Sequence, residues 1–209
     1  MKNIAPILVQ IPDHQKWNFS NYVKQVEQLV AEGKTSGAEQ TAALIEYTKL
    51  NLHRMQKWNK VGALRDTDKA ILSSQKQKQY WYVLAESWCG DAAQIVPFLS
   101  KIAEGSEGKM ALTILFRDEQ VELMNEFLTN GTRSIPKLIA TDEGGNVLFQ
   151  WGPRPKRAQD LMLSLKQNPE LSAEQAKMQL HKWYAENKGA DVLDELMEHI
   201  QLSETAVLG

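Results

Sequence analysis

From residue 17 onward, apolar side chains recur at helical intervals (Trp17, Tyr22, Val23, Val26, Leu29, Val30), the spacing that lines one face of a helix. Ser20 reads as the N-cap of this helix and Gly33 as its stop. A second helix is predicted from Ser36, where Glu39 three residues later completes a capping box. Leu44, Ile45, Thr48, Leu52, Met55 and Trp58 form its stripe. A short third helix spans residues 68–74 behind Thr67. Stripes of this kind are core-facing surfaces, so residues 1–78 read as a helical block.

The pattern changes at residue 79. Residues 80–85 are short, aromatic and β-branched with polar flanks, which predicts a buried strand. Ala92, Ile95, Val96, Leu99, Ile102 and Ala103 then follow a helical period up to Gly105, and residues 110–116 form a second apolar run. Strand, helix, strand in this order is a βαβ unit with parallel strands. A helix is expected over residues 119–128. Two further strands, 136–140 and 146–151, flank the turn Asp142-Glu143-Gly144-Gly145 as a hairpin. Gly152-Pro153-Arg154-Pro155 breaks the last strand, and a helix runs over residues 156–166. Residues 169–209 return to helix: Ser172 and Gln175 make a capping box before Ala176, Leu180, Trp183 and Tyr184, and Gly189 ends that helix. A final helix carries Val192, Leu193, Leu196, Met197 and Ile200, with the terminal SETAVLG expected to fray.

The chain thus reads as an α/β protein of order β-α-β-α-β-β-α over residues 79–168, with added helices at 1–78 and 169–209. The apolar stripes of both flanks need burial, so all three parts are expected in one unit, with the flanks extending the sheet edge or forming a homodimer surface.

Charge narrows the partners. Lys and Arg total 24 against 26 Asp and Glu, a formal charge of -2. That balance gives no field suited to nucleic acid or to an anionic membrane. No apolar run approaches the ~20 residues that span a bilayer, and the apolar start is broken by Pro6 and Pro12. A single cysteine excludes an intramolecular disulfide and fits a reducing, cytoplasmic setting. His14, His53, His181 and His199 are scattered, with none three or four residues from another or from Cys89, so neither a metal nor another cofactor is expected.

The lone cysteine stands in Trp88-Cys89-Gly90-Asp91-Ala92, at the first strand–helix junction, and Ile135-Pro136 opens the third strand about 45 residues later. This combination resembles the thioredoxin superfamily, whose pattern is W-C-G-P-C on the first helix and a cis-proline loop facing it. The resemblance is closest to bacterial thioredoxin-like proteins carrying helical extensions and a WCGDA variant. It implies a thioredoxin fold, a mixed sheet with helices on both faces. Three departures affect function: the second cysteine falls at Ala92, the loop proline at Asp91, and the buried acid of many thioredoxins at Val83. Dithiol turnover needs the second sulfur to release a mixed disulfide, so ordinary thioredoxin activity is not expected.

A thiol at a helix N-terminus is favoured as thiolate by the dipole and unpaired N–H groups. Asp91 opposes this by like charge, leaving the net sign open. The resemblance places the sulfur partly exposed beside Ile135, with Trp88, Gly90, Asp91, Ile135 and Pro136 as the surface on which a partner strand lies. Arg133, Lys137, Arg154, Lys156 and Arg157 add positive charge suited to the carboxylates of a small thiol or an acidic peptide. Two functions follow. One is a monothiol thiol–disulfide oxidoreductase, in which Cys89 attacks a disulfide on a protein or a low-molecular-weight thiol and an external thiol resolves the adduct. The other is a redox-inactive binding module, with Cys89 a small apolar residue.

Overall fold

The computed structural model describes residues 2–208, of which 205–208 by backbone alone. In chain order its elements are α1 (Ala5–Leu8), α2 (Phe19–Ala31), α3 (Ala42–Val61), α4 (Asp66–Ser74), β1 (Gln79–Ala85), α5 (Gly90–Gly105), β2 (Met110–Phe116), α6 (Val121–Asn125), β3 (Lys137–Thr141), β4 (Val147–Trp151), α7 (Lys156–Gln167), α8 (Ala173–Asn187) and α9 (Ala190–Leu208). The aromatic run at residues 80–85 lies within β1, an inner strand of a mixed sheet ordered β2-β1-β3-β4. β1 pairs parallel with β2 and antiparallel with β3, so Val83 stands between Ile114 and Leu138. Both edges of β1 are consumed, and Trp81, Val83, Leu84 and Ala85 lose all solvent contact. An inner strand therefore reads as a near-continuous apolar run rather than an alternation.

The crossover helix α5 is apolar nearly all round because it is covered on more than one side. Helix α3 packs along it through Trp58 and Phe98, whose rings lie 5.5 Å apart, and α2, α4 and α9 also touch it. The buried core draws on all three blocks of the chain, from Tyr22 and Met55 through Ile95 to Leu196 and Ile200. Helix α9 lies against β4, where His199 stacks on Phe149 and the Trp151 indole N–H donates to Glu195 at 2.7 Å. None of the described helices is long and apolar enough to cross a membrane.

Several boundaries differ from expectation, each for a local reason. Asn18, not Ser20, caps α2, its side chain accepting the Asn21 N–H. Trp17 lies outside that helix, bridged to Ile114 beside the sheet. Thr41 caps α3, five residues later than predicted, because Ser36 and Thr35 are drawn into a buried hydroxyl network instead. Arg65 replaces Thr67 at the start of α4, where Asp68 accepts from its backbone and its guanidinium. The helix expected at 119–128 shrinks to α6 behind a 3₁₀ turn, Arg117–Glu119. The chain end does not fray at Ser203: α9 continues to Leu208, Ser203 is buried, and Glu204 accepts the Lys76 N–H. Gly209 lies outside the described residues. The capping box of Ser172 and Gln175 on α8 is present.

Candidate functional site

Cys89 is the N-cap of α5, placed there because β1 ends at Ala85 and the turn 86–88 reverses the chain. Its S–H donates to the Ile135 carbonyl at 3.4 Å, and its sulfur accepts the Ala92 N–H at 3.5 Å. The Ile135–Pro136 peptide is cis. The cysteine is only 7% exposed, not the partly open sulfur that the resemblance implied. Burial pushes its thiol up to about 12, and the Asp91 carboxylate adds to the rise. The N–H groups of Ala92 and Asp91, and the Arg154 charge, pull the other way without prevailing. The sign left open by the competing dipole and carboxylate is upward.

Asp91 is held from two elements. Arg154, in the loop after β4, grips both carboxylate oxygens, Nε to Oδ1 at 2.9 Å and Nη2 to Oδ2 at 2.6 Å. Tyr184 of α8 donates its hydroxyl to Oδ1 at 2.9 Å, and burial beside that carboxylate keeps the phenol protonated. Gln159 accepts a further Arg154 N–H at 3.0 Å. A bidentate guanidinium plus a phenol satisfies a carboxylate that is almost buried.

His181, also on α8, packs on Gly90. A Cβ added at Gly90 would lie 2.7 Å from its Cε1 and 2.8 Å from its Nε2, so only glycine lets the ring approach the cysteine turn. Its protonation is set by a relay: Trp58 Nε1–H donates to Gln94 Oε1, which turns the Gln94 amide N–H toward His181 Nδ1 at 3.2 Å. Nδ1 accepts, so the proton resides on Nε2. Burial, with Arg54 and Arg154 nearby, lowers the imidazole to about 4 and keeps it neutral.

These groups border a cleft of about 620 Å³ lined by Trp88, Cys89, Gly90, Asp91 and Ile135, with Leu44, Met162 and Leu180 among its apolar contacts. Of the other anticipated site residues, Pro136 is buried and does not line the cleft. Lys137 is buried on β3, where desolvation lowers its ammonium. The cations at the start of α7 do not act together. Arg154 lines the cleft but is committed to Asp91, while Lys156 and Arg157 lie away from it, paired with Asp160 and Asp191. Arg133 does line the cleft, joined by Arg117, Lys166 and Lys177. Arg117 lies over the Trp88 ring at 5.1 Å and pairs with Asp118.

Sequence reasoning missed His181, Tyr184, Arg54 and Glu86. Glu86 is fully buried beneath the cysteine turn, its carboxylate accepting from Ser36 Oγ and from the Asp118 N–H at 2.9 Å. Ser36, Thr35, Thr48 and Ser87 form one hydroxyl cluster around it, which ties the loop before α3 to the motif. Desolvation raises the Glu86 carboxyl to about 7. Its sequence signal was its place three residues before the cysteine, at the end of an apolar strand.

Comparison with known proteins agrees with this geometry. A thioredoxin family model matches residues 37–177, which takes in α3, α4 and the start of α8 as well as the sheet. A thioredoxin from Chlorobaculum thiosulfatiphilum is 33% identical over 92 residues, 44% of this chain and 73% of that protein. Two solved structures share the fold at low identity. A protein of unknown function from Pseudomonas aeruginosa superposes with a TM-score of 0.60 at 15% identity, covering 96% of this chain and 98% of that one. An HIV epitope-scaffold gives 0.59 at 14%, with the same coverage. Sheet order, the cysteine at the head of the crossover helix, and a family match over well more than half the chain lead to one statement: the chain belongs to the thioredoxin family.

Proposed function

We propose that the protein is a monothiol thiol–disulfide exchange protein of a reducing compartment, acting through Cys89. The observation that supports it is the placement of the only thiol at the head of α5, directed at Ile135 beside the proline loop and bordering a cleft large enough for a partner. In the exchange, the Cys89 thiolate attacks one sulfur of a disulfide. That S–S bond breaks as a new one forms to Cys89, and the leaving thiolate takes up the proton released from Cys89. An external thiol then attacks the adduct, leaving as the partner's disulfide and returning Cys89 to the reduced form. Ala92 supplies no internal resolver, so the mixed disulfide persists until that thiol arrives.

With its thiol near 12, Cys89 holds only about one part in 10⁵ as thiolate at pH 7. The resting protein is therefore slow, and exchange gains about tenfold per pH unit below that value. The same burial favours a second reading, a redox-inactive module whose cleft alone does the work. Intact mass spectrometry after challenge with a small disulfide from pH 7 to 10 separates them. A single adduct at Cys89, absent in Cys89→Ser and faster at higher pH, supports exchange. A folded protein left unmodified throughout refutes it and leaves the binding module.

A further inference from the structure

The cleft is walled on one side by α8, from Ser172 and Ala173 through Ala176 and Lys177 to Leu180 and His181. The thiol borders a half-open cleft of about 620 Å³, within the range of small-molecule sites, with α8 narrowing one flank. The charges on its wall are unequal. Arg133, Lys166 and Lys177 border it, and Asp91 is the one acidic residue among its described lining, already neutralised by Arg154 and hydrogen-bonded by Tyr184. Arg133 donates Nε to Asn125, and no described carboxylate pairs with it or with Lys166. Lys177 lies over the Tyr47 ring and only 3.9 Å from Glu174.

Behind Gly90 stands Arg54, half-buried, bonded to Asn51 but to no described carboxylate, its guanidinium destabilised by desolvation. Arg54 does not itself border the cleft, and the Asp91 and Glu174 carboxylates offset only part of its burial, so a further anion in the cleft adds to that stabilisation. His181 adds a neutral N–H on the same wall, its Nε2 proton fixed by the Trp58–Gln94 relay. Arg133 and Lys177 come from the proline loop and from α8, so the positive charge enters the cleft from separate elements.

We infer that this cleft is a binding site for a small thiol, or its disulfide, that carries two carboxylates, and that α8, through Lys177, selects it over a neutral one. The inference rests on the exchange reading for its chemistry but not for its binding. One carboxylate is held by Arg133 and the other from the α8 side by Lys177, with Arg54 and His181 behind Gly90 and the sulfur delivered to Cys89.

The test uses the full chain in two arms. In the first, S-methylglutathione, which cannot form a disulfide, is titrated by calorimetry, beside its diethyl ester. Saturable binding of the acid that weakens with salt, survives Cys89→Ser and falls severalfold in Arg133→Ala and in Lys177→Ala supports the site. Equal binding of acid and ester, or none of either by correctly folded protein, overturns it. In the second arm, adduct formation at Cys89 is timed with glutathione disulfide and with neutral hydroxyethyl disulfide, the rates corrected for their reactivity toward a free cysteine. A glutathione rate at least tenfold higher, reduced toward the neutral rate in Lys177→Ala, supports selection. Equal rates overturn the selection while leaving Cys89 exchange intact. Reaction with neither disulfide, alongside normal binding in the first arm, refutes the exchange chemistry and leaves the anion site standing.

Discussion

Replacing Glu86 with glutamine should change how stability depends on pH. Glu86 is fully buried and its carboxyl is raised to about 7 from an ordinary value of 4.5, desolvation outweighing the help from Ser36 and the Asp118 N–H. The folded chain therefore holds this proton more tightly than the unfolded chain. Its favourable contribution is complete below about pH 4.5 and is lost as pH rises through 7. A shift of that size corresponds to a cost on the order of 3 kcal/mol once the group is ionised, of which about 2–3 kcal/mol develops between pH 5 and 8. His181 runs in the opposite direction. Its imidazole, lowered to about 4, loses stability as pH falls from about 6.5 toward 4. The two slopes oppose each other in the native protein, so the informative quantity is the difference between native and variant. Glutamine keeps the shape: its oxygen accepts the Asp118 N–H, and its amide donates to Ser36, whose hydroxyl rotates. Arg117 and Asp118 face the same carboxyl and are unchanged in both proteins. Urea unfolding at pH 5, 6, 7 and 8 should show Glu86→Gln gaining about 2–3 kcal/mol on the native protein from pH 5 to 8. A difference that stays constant across that range would mean that Glu86 does not titrate in the folded state near 7, and the reasoning would fail.

Three further substitutions probe the site. Ala92→Cys places a second sulfur three residues along α5, where the Ala92 N–H already reaches Cys89 Sγ at 3.5 Å, and should form an intramolecular disulfide under mild oxidant, seen as loss of both free thiols. Retention of two free thiols would show that the α5 turn cannot adopt the bridging geometry. Gly90→Ala drives a methyl into the His181 ring at 2.7 Å and should cost about 1–3 kcal/mol by denaturant unfolding, much of it recovered when His181→Ala is added; additive costs would refute that contact. Asp91→Asn removes the negative neighbour that raises the Cys89 thiol and leaves Arg154 unpaired. The thiol should titrate lower by pH-dependent alkylation, while stability falls by about 3–5 kcal/mol. An unchanged thiol would show that burial alone sets its value.

The elements were largely legible in the chain because hydrophobic periodicity is local. The run at 80–85 announced a buried strand, the repeat from Ala92 to Ala103 the helix of a βαβ unit, and the Trp88-Cys89-Gly90 and Ile135-Pro136 pair the thioredoxin arrangement. Helix starts were less legible, since serine and threonine serve as caps or as buried hydrogen-bond partners. Ser36 was read as the first and acts as the second, because Glu86, fifty residues away, needs its hydroxyl. Charge was least legible. Arg154, Lys156 and Arg157 looked like one basic cluster, but Arg154 stays in the loop before α7 and reaches Asp91, while Lys156 and Arg157 on the helix pair with Asp160 and Asp191. The imidazole beside the thiol turn comes from His181, 92 positions further on, carried there by a helix with no local sign of the site. Even the sign of the Cys89 shift was undecidable from neighbours along the chain. The helix terminus and Asp91 are local and oppose each other, whereas desolvation, the largest cause, depends on how segments distant in the chain close over the sulfur. A sequence specifies each segment's preferences through nearby residues. Burial, and with it the protonation of Cys89, Glu86 and His181, is a property of segments distant in the chain that meet only in the folded structure.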